Sequence, residues 1–520
     1  MYVGTRAPIP IGTDGMYGIT RVPIAGLINY RNGTLENNIL EKEGGATPQN
    51  ASALAGSILA MRDWWPDSLT QRLIAVVSDG SVKRDEGAWT FPTTPLAPGT
   101  LTATRHPPHI IEGGAELVGR AKKMFIFDGN TSPRVGSGDF VAMTSIANPP
   151  TGGDWVGARQ PFHGIVHQGR LWAFLDHVAY VSSPTDHEDF RAASGGVLIP
   201  IEPGFSQYIS AAWSFAKMLI VFKYPKGIFI IDTSQINPVN WRYDPQSWAV
   251  GSSGPYGPVA IPNDVLFPDA IGHFHVLSRT GVERDAESSN IFSPKMEEWQ
   301  RAQISPSRMP FAHLIYYDDK RMAYAAVSGL GSTKNDRRVT IDFNNPRVGP
   351  RFMYSDRDVC QSLVMRKIGG IDRPYFGDDA GKAWKMDEST RSKNGLGYIG
   401  VFQTDHADLG EIIPEWKGRK KTFDFLEFEF ESVGNYNLSV NVYIDGVLKT
   451  VTPLNFNMGG LGVPLGSFVL GVDRLGVVAR SRRKKRLGFH GTRISIEGFN
   501  SGPGETFRIT EATVYGRVAE

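Results

Sequence analysis

Lys217-Met-Leu-Ile-Val-Phe222-Lys-Tyr-Pro-Lys-Gly227-Ile-Phe-Ile-Ile231 is two short apolar runs around a turn made of Pro, Gly and two lysines. Each run is too short for a helix, is rich in β-branched residues, and is cut off by residues that break regular structure, so the segment reads as a β-hairpin. Its opening, a basic residue followed by an apolar strand, recurs along the chain. It is found at Arg72-Leu-Ile-Ala-Val-Val, Lys123-Met-Phe-Ile-Phe, Arg170-Leu-Trp-Ala-Phe, His273-Phe-His-Val-Leu, Arg321-Met-Ala-Tyr-Ala and Arg373-Pro-Tyr-Phe. Successive openings are separated by 51, 47, 47, 56, 48 and 52 residues. Hairpins at this period are how propeller blades read, because a four-stranded blade takes roughly 40–50 residues. The expected fold is all-β, with a β-propeller body of about six or seven blades over residues 49–397.

Two other regions depart from this rhythm. Residues 1–48 are rich in Gly, Pro, Asn and Thr and read as an extended N-terminal arm able to lie on a neighbour. After the polar stretch Glu388–Gly397, residues 398–520 read as a β-sandwich. Phe423-Asp-Phe425 alternates, then the phase slips at Leu426 so that Phe428 and Phe430 oppose Glu427, Glu429 and Glu431, which predicts a bulge. Strands are expected at Leu438–Ile444, closed by a hairpin turn at Asp445-Gly446, and at Phe468–Val472, Arg493–Ile496 and Phe507–Tyr515. Helix is scarce, with short helices expected at Asn50–Met61, capped by Asn50, and at Lys295–Ala302.

The composition restricts the classes of function. A chain of 520 residues exceeds one core, and 58 Gly with 34 Pro imply frequent turns. A net charge of +2 gives no overall commitment to nucleic acid or acidic membranes. The single cysteine, Cys360, excludes an intramolecular disulfide and a multi-cysteine metal site. No secretory signal is read at the N-terminus. The longest apolar runs are strand-sized, so no membrane insertion is expected.

Within this neutral chain, Arg480-Ser-Arg482-Arg483-Lys484-Lys485-Arg486 concentrates six cations in seven residues. Such a run suits sequence-independent, salt-sensitive contact with phosphates of double-stranded DNA. It equally suits a solvated hairpin loop, or docking on an acidic partner such as a neighbour's face of Glu427, Glu429 and Glu431. Asp85-Glu-Gly-Ala-Trp89 echoes the Asp-x-Gly-x-x-Trp turns of sialidase propellers, but reads as a blade turn. Asp186-His-Glu-Asp189 offers oxygen donors but reads as a turn rather than a Ca²⁺ loop. His163 and His167 lie in a strand entry, and His273 and His275 share a strand face with no third ligand in view, so no metal site is assigned. No nucleophile elbow, metalloprotease helix motif or Walker loop occurs, and Gly459-Gly-Leu-Gly462 follows no βαβ pattern. No catalytic residue and no cofactor are expected.

Gly169-Arg-Leu-Trp-Ala-Phe-Leu-Asp-His-Val-Ala-Tyr-Val-Ser-Ser-Pro-Thr-Asp-His-Glu-Asp-Phe190 resembles the blade signature of podophage tail hub proteins, also called tail nozzle, tail tubular protein B or packaged-DNA stabilisation proteins. Gly254-Pro-Tyr-Gly257, Val276–Val282, Tyr375-Phe-Gly-Asp-Asp379, Phe425–Val518 and the opening segment Ile28-Asn-Tyr through Gly44-Gly45 are similar to the same family. The resemblance is diffuse and extends over most of the chain. It implies a non-enzymatic virion structural protein, assembled in the bacterial cytoplasm into a homohexameric ring below the portal and its adaptor. Such a ring continues the DNA channel, retains the packaged genome until ejection, touches double-stranded DNA transiently, and carries tail fibres or a needle. The competing expectation is a carbohydrate-active or glycan-binding propeller with an appended sandwich.

Overall fold

The computed structural model describes the chain apart from residues 1–16, 21–26, 37–38, 103–105, 115–116, 118–119, 152–154, 236, 279–293, 345–350, 388–389, 405, 409–416, 432–433, 435, 460–480 and 519–520. Almost all of its regular structure is strand. The chain divides into two compact units, one of Pro48–Phe352 with Asp358–Met386, the other of Met1–Thr47, Met353–Arg357 and Asp387–Glu520.

The first unit is a succession of antiparallel sheets, here lettered A to G. Among the described residues, sheets A (58–96), B (109–145), C (163–200) and D (208–247) have four strands each, and sheet E (259–276) has three. Sheet F contributes His313–Tyr317, Met322–Val327 and Arg337–Asp342, and sheet G contributes Ser362–Ile368, Ile371–Gly377 and Ala383–Asp387.

Hydrophobic clusters join consecutive sheets. Trp64, Ile74 and Val76 of A pack with Ile110 and Met124 of B, and Phe125 and Phe127 of B with Leu171 and Ala173 of C. Trp172 and Phe174 of C meet Leu219 and Phe229 of D, Phe222 of D meets Phe267 of E, and Leu266 of E meets Leu314 and Ala323 of F. Between F and G, Arg373 donates to the Tyr317 hydroxyl. Finally Ile58, Met61 and Leu73 of A share a core with Val364 and Tyr375 of G, so the succession closes on itself in a propeller-like circle. A sheet of this kind is apolar on both faces, which explains why the second strands, such as Arg170–Leu175, are buried almost throughout.

Six of the seven repeated openings mark the second strand of a sheet, with Arg373 two residues inside its strand. The His273 opening is different: it leads the third strand of sheet E, Phe274–Val276, and the second strand there is Asp264–Pro268. Lys217 to Asp264 is 47 residues, so the irregular spacing of 56 arises from reading the wrong strand of that sheet.

The helix expected over Asn50–Met61 is absent. Residues 50–57 are irregular, and Ile58–Trp64 is the first strand of sheet A. The reason is what Asn50 bonds. Instead of capping a helix, its buried amide donates to the Gly381 carbonyl at 3.0 Å and accepts from the Ala383 N–H at 2.7 Å. The chain entering sheet A is thereby tied to sheet G. The other expected helix exists, over Pro294–Gln303.

In the second unit, two sheets enclose one core. Phe423, Leu426, Phe428 and Phe430 of Lys421–Phe430, with Val514 of Arg508–Val518, face Phe402, Val440, Val442, Ile494 and Ile496 of the other sheet. The predicted bulge is present: register slips between Phe423 and Phe425 against both neighbouring strands, which keeps Phe423 and Leu426 on the same buried side. Ile444 pairs with Val447 across the two-residue turn Asp445-Gly446, both at positive φ, as expected. The expected strand Phe468–Val472 lies outside the described residues.

The N-terminal arm is not a free extension where it is described. Tyr17–Thr20 pairs with Thr513–Gly516, Gly33–Glu36 and Ile39–Lys42 form a hairpin joined to the same strand, and Leu27–Arg31 pairs with Gly400–Thr404. An extended segment carries unmet backbone donors and acceptors, and these sheet edges satisfy them within the chain.

Candidate functional site

The basic run proves to be a strand, Ser481–Gly491, rather than a loop, and it stands at the edge of its sheet among the described residues. Arg480 lies outside the described residues. The partner strand is the acidic one: Glu429 stands opposite Arg482, and Glu427 opposite Lys484. The acidic tract, a candidate face for a neighbouring subunit, makes contacts within its own chain. Arg482 donates to Glu429 and approaches Glu427 at 3.9 Å. Glu427 also accepts from the Tyr515 hydroxyl, and Arg508 holds Glu431 at 2.9 Å. Lys484 sits 3.7 Å over the ring of Tyr515 and 4.5 Å over that of Phe425.

Alternation explains the rest of the run. Arg483 and Lys485 stand opposite Phe428 and Leu426, on the core-facing side of the sheet. Arg483 is half-buried and donates to the Gly459 carbonyl at 3.2 Å, while Lys485 and Arg486 are exposed. Inward-pointing cations on an edge strand discourage pairing with another strand. After the carboxylates are counted, the surface positive charge rests chiefly on Lys484, Lys485 and Arg486.

The neighbouring hairpin carries a different surface. Beyond the Asp445-Gly446 turn, Val447 and Leu448 are about half exposed, and Val451 is 100% exposed. Three aliphatic side chains within five residues at one hairpin tip form an uncovered apolar point.

At the centre of the first unit, histidines from distant sheets converge. His109, His163 and His313 are the first residues of the first strands of sheets B, C and F. Tyr256, from the chain between D and E, packs against His109 (ring centroids 4.9 Å) and stacks on His313 (4.1 Å). Its hydroxyl donates to the Pro108 carbonyl and accepts from the Ile110 N–H. Sheets B and F are not consecutive, so one side chain can touch both only across the middle of the circle. Tyr256 therefore bridges two sheets that are apart in the succession. Burial pushes His109 and His313 down to about 3, holds His163 well below the usual imidazole range, and raises the Tyr256 phenol. These imidazoles are neutral packing groups at neutral pH.

The other sequence candidates are accounted for locally. Asp85 accepts from the Gly87 N–H and from Arg366, whose guanidinium lies 4.4 Å over Trp89. Trp89 packs on Tyr375, so the Asp85–Trp89 turn ties sheet A to sheet G. Asp186, Glu188 and Asp189 pair with Arg120, Lys123 and Arg191. His167 lies between the Ser214 and Thr233 hydroxyls at 2.7 Å each. Cys360 is buried.

One constellation was missed. Asp269, in the turn after the second strand of sheet E, brings a carboxylate to His273 and His275, and all three are buried. The pair His-x-His was visible in the sequence, but the third group enters across a four-residue turn whose closure the sequence alone does not reveal.

No protein-family model and no curated protein matches the sequence. Among solved structures, the chain is similar to that described as BBS1N in complex with ARL6DN, soaked with mercury. Identity is 10% and the TM-score 0.41, over 66% of this chain and 96% of that one. It is also similar to the computationally designed Ika8 protein, at 10% identity and TM-score 0.36, over 65% of this chain and 98% of that one. Among the described residues, no helix is long and apolar enough to cross a membrane.

Proposed function

We propose that this chain is a virion structural subunit of the podophage tail hub or nozzle type, built as a seven-bladed propeller with a C-terminal β-sandwich. Copies assemble into a sixfold ring that continues the DNA channel below the portal and adaptor, retains the packaged genome and anchors fibres or a needle.

The observation that carries an assembly role is the uncovered hairpin tip of Val447, Leu448 and Val451. Fully burying one such side chain is worth about 1.5–3 kcal/mol, so a docking partner gains from covering three. A ring repeats one interface until it closes, and a modest contact per subunit is enough. The Tyr256 bridge adds a constraint. With Tyr256 spanning from sheet B to sheet F, the conduit in this reading is the hole between subunits, not the propeller's own centre. Lys484, Lys485 and Arg486 are candidates for phosphate or neighbour contact.

Imaging of the purified full-length chain and of virions tests the proposal. The expected result is a ring with a central hole, lost when Val447, Leu448 and Val451 are replaced by Ser while the monomer stays folded. A chain that stays monomeric at high concentration and is absent from particles would overturn it.

A further inference from the structure

Three buried side chains of sheet E converge on a volume suited to one metal ion. Asp269 Oδ2 lies 3.0 Å from His275 Nε2 and 3.8 Å from His273 Nδ1, and the three donor atoms all lie within 4.8 Å of one another. We propose that Asp269, His273 and His275 bind a divalent first-row transition ion, zinc in the first instance, that clamps the turn between the second and third strands of sheet E.

The spacing can accommodate an ion in place of the hydrogen bond between His275 and Asp269. Donors at 2.0–2.1 Å from a tetrahedral zinc lie roughly 3.3 Å apart, and the observed 3.0 and 3.8 Å bracket that value. Small rotations of the imidazoles would equalise the two. One carboxylate and two imidazoles, without thiolate, suit zinc and its first-row neighbours rather than calcium or magnesium, which prefer all-oxygen sites. Three donors are found among the described residues, and a tetrahedral site takes one more ligand.

The surroundings orient the donors. Asp269 Oδ1 accepts the N–H groups of Ile271 and His273, both at 2.9 Å, which turns Oδ2 toward the histidines. Fixing a ligand carboxylate through its other oxygen is how outer-shell bonds tune a metal site. The backbone closes the same turn: the Asp269 N–H donates to the His273 carbonyl at 2.8 Å, and Gly272 takes φ +94°. A Cβ at Gly272 would stand 2.9 Å from Ile304 Cγ2, so position 272 needs glycine for both conformation and space. His275 and His273, two residues apart in extended backbone, then point to one side, and the His275 ring stacks on Phe267.

Sheet E has three described strands where A to D each have four. A clamp on its connecting turn would restrain the pairing of its second and third strands. The site and the assembly reading rest on different side chains, so either can fail alone.

The test uses untagged full-length protein, stripped with a chelator and dialysed, then titrated with Zn²⁺ by calorimetry and with Co²⁺ by visible absorption. The expected result is one saturable equivalent, a Co²⁺ spectrum of tetrahedral character and a raised melting temperature with Zn²⁺. In the H273Q variant, affinity should fall at least tenfold. D269N, which keeps the shape of the turn, should lose the Co²⁺ spectrum. Absence of saturable binding by the wild-type chain would overturn the site, as would unchanged affinity in a folded H273Q variant. If D269N unfolds, the wild-type and H273Q titrations still decide.

Discussion

Arg482 faces Glu429 across neighbouring antiparallel strands, and its guanidinium donates to the same carboxylate oxygen from Nε at 2.8 Å and Nη2 at 2.6 Å. The two charge tracts most visible in the sequence thus meet inside one chain. Their pairing has a measurable size. The Arg482 side chain is 65% exposed, so water and salt screen the pair, and exposed pairs contribute about 0.2–1 kcal/mol. A double-mutant cycle of R482A with E429Q, followed by urea denaturation, should give a coupling in that range that shrinks toward zero in 1 M salt. A larger, salt-insensitive coupling would mean that the tract is buried as the chain exists in solution.

Arg366 presents the opposite case. It is buried and holds two carboxylates from sheet A, Asp63 at 3.3 Å and Asp85 at 3.2 Å, while its guanidinium lies over Trp89. Removing it leaves buried acids without their cation, which typically costs about 3–5 kcal/mol. R366A should lower the urea midpoint severely. R366A combined with D85N should recover part of the loss, because one uncompensated charge is gone. Equal destabilisation in the single and double variants would refute a charge-based tie between sheets A and G.

The central histidines make stability depend on pH. Burial depresses His109 and His313 to about 3 from the usual 6.5, and depresses His163 in the same direction. The unfolded chain therefore binds protons that the folded chain refuses between about pH 6.5 and 3. Their contribution to stability is complete above about pH 6.5 and is lost as pH falls toward 3. Each contributes at most about 1.4 kcal/mol per pH unit in that window. Urea midpoints measured from pH 7.5 to 5 should fall with acidification. H313F should lower the slope by one histidine's share, although it costs stability at neutral pH. A slope unchanged by H313F would show that His313 titrates freely in the folded chain.

The repeat of hairpins was legible because its cause is local: basic residue, apolar strand and turn recur at the second strand of six of the seven sheets. Sheet E escaped this reading. Its second strand opens with Asp264 instead of a cation, whereas His273 supplied a false match on the third. The bulge at Phe423–Leu426 and the Asp445-Gly446 turn were legible for the same local reason. What could not be read was pairing at long range. That Arg482 finds Glu429, that Asn50 bonds Gly381 rather than capping a helix, and that the arm joins the Arg508–Val518 strand depend on which edges lie close after folding. Asp269 stayed hidden beside His273 and His275 because a buried carboxylate in a turn carries no signature of where its second oxygen points.

The bulge itself supports a prediction that separates backbone strain from crowding. Against the basic strand, register slips between Phe423 and Phe425, and the extra length on that strand includes Gly488 at φ +70°. A Cβ at Gly488 meets nothing within 4 Å, so only backbone conformation opposes a side chain there. G488A should cost about 1–2 kcal/mol, the usual penalty of a left-handed conformation for an L-residue, and G488N less, because asparagine tolerates that region. Gly498 is the contrast. Its φ is not in the left-handed region, but a Cβ there would stand 2.3 Å from the Phe402 ring, so alanine and asparagine should both be severely destabilising, with the larger asparagine worse. Urea denaturation of the four variants reads both orders at once. If G488N were no better than G488A, the left-handed bulge on the basic strand would be wrong.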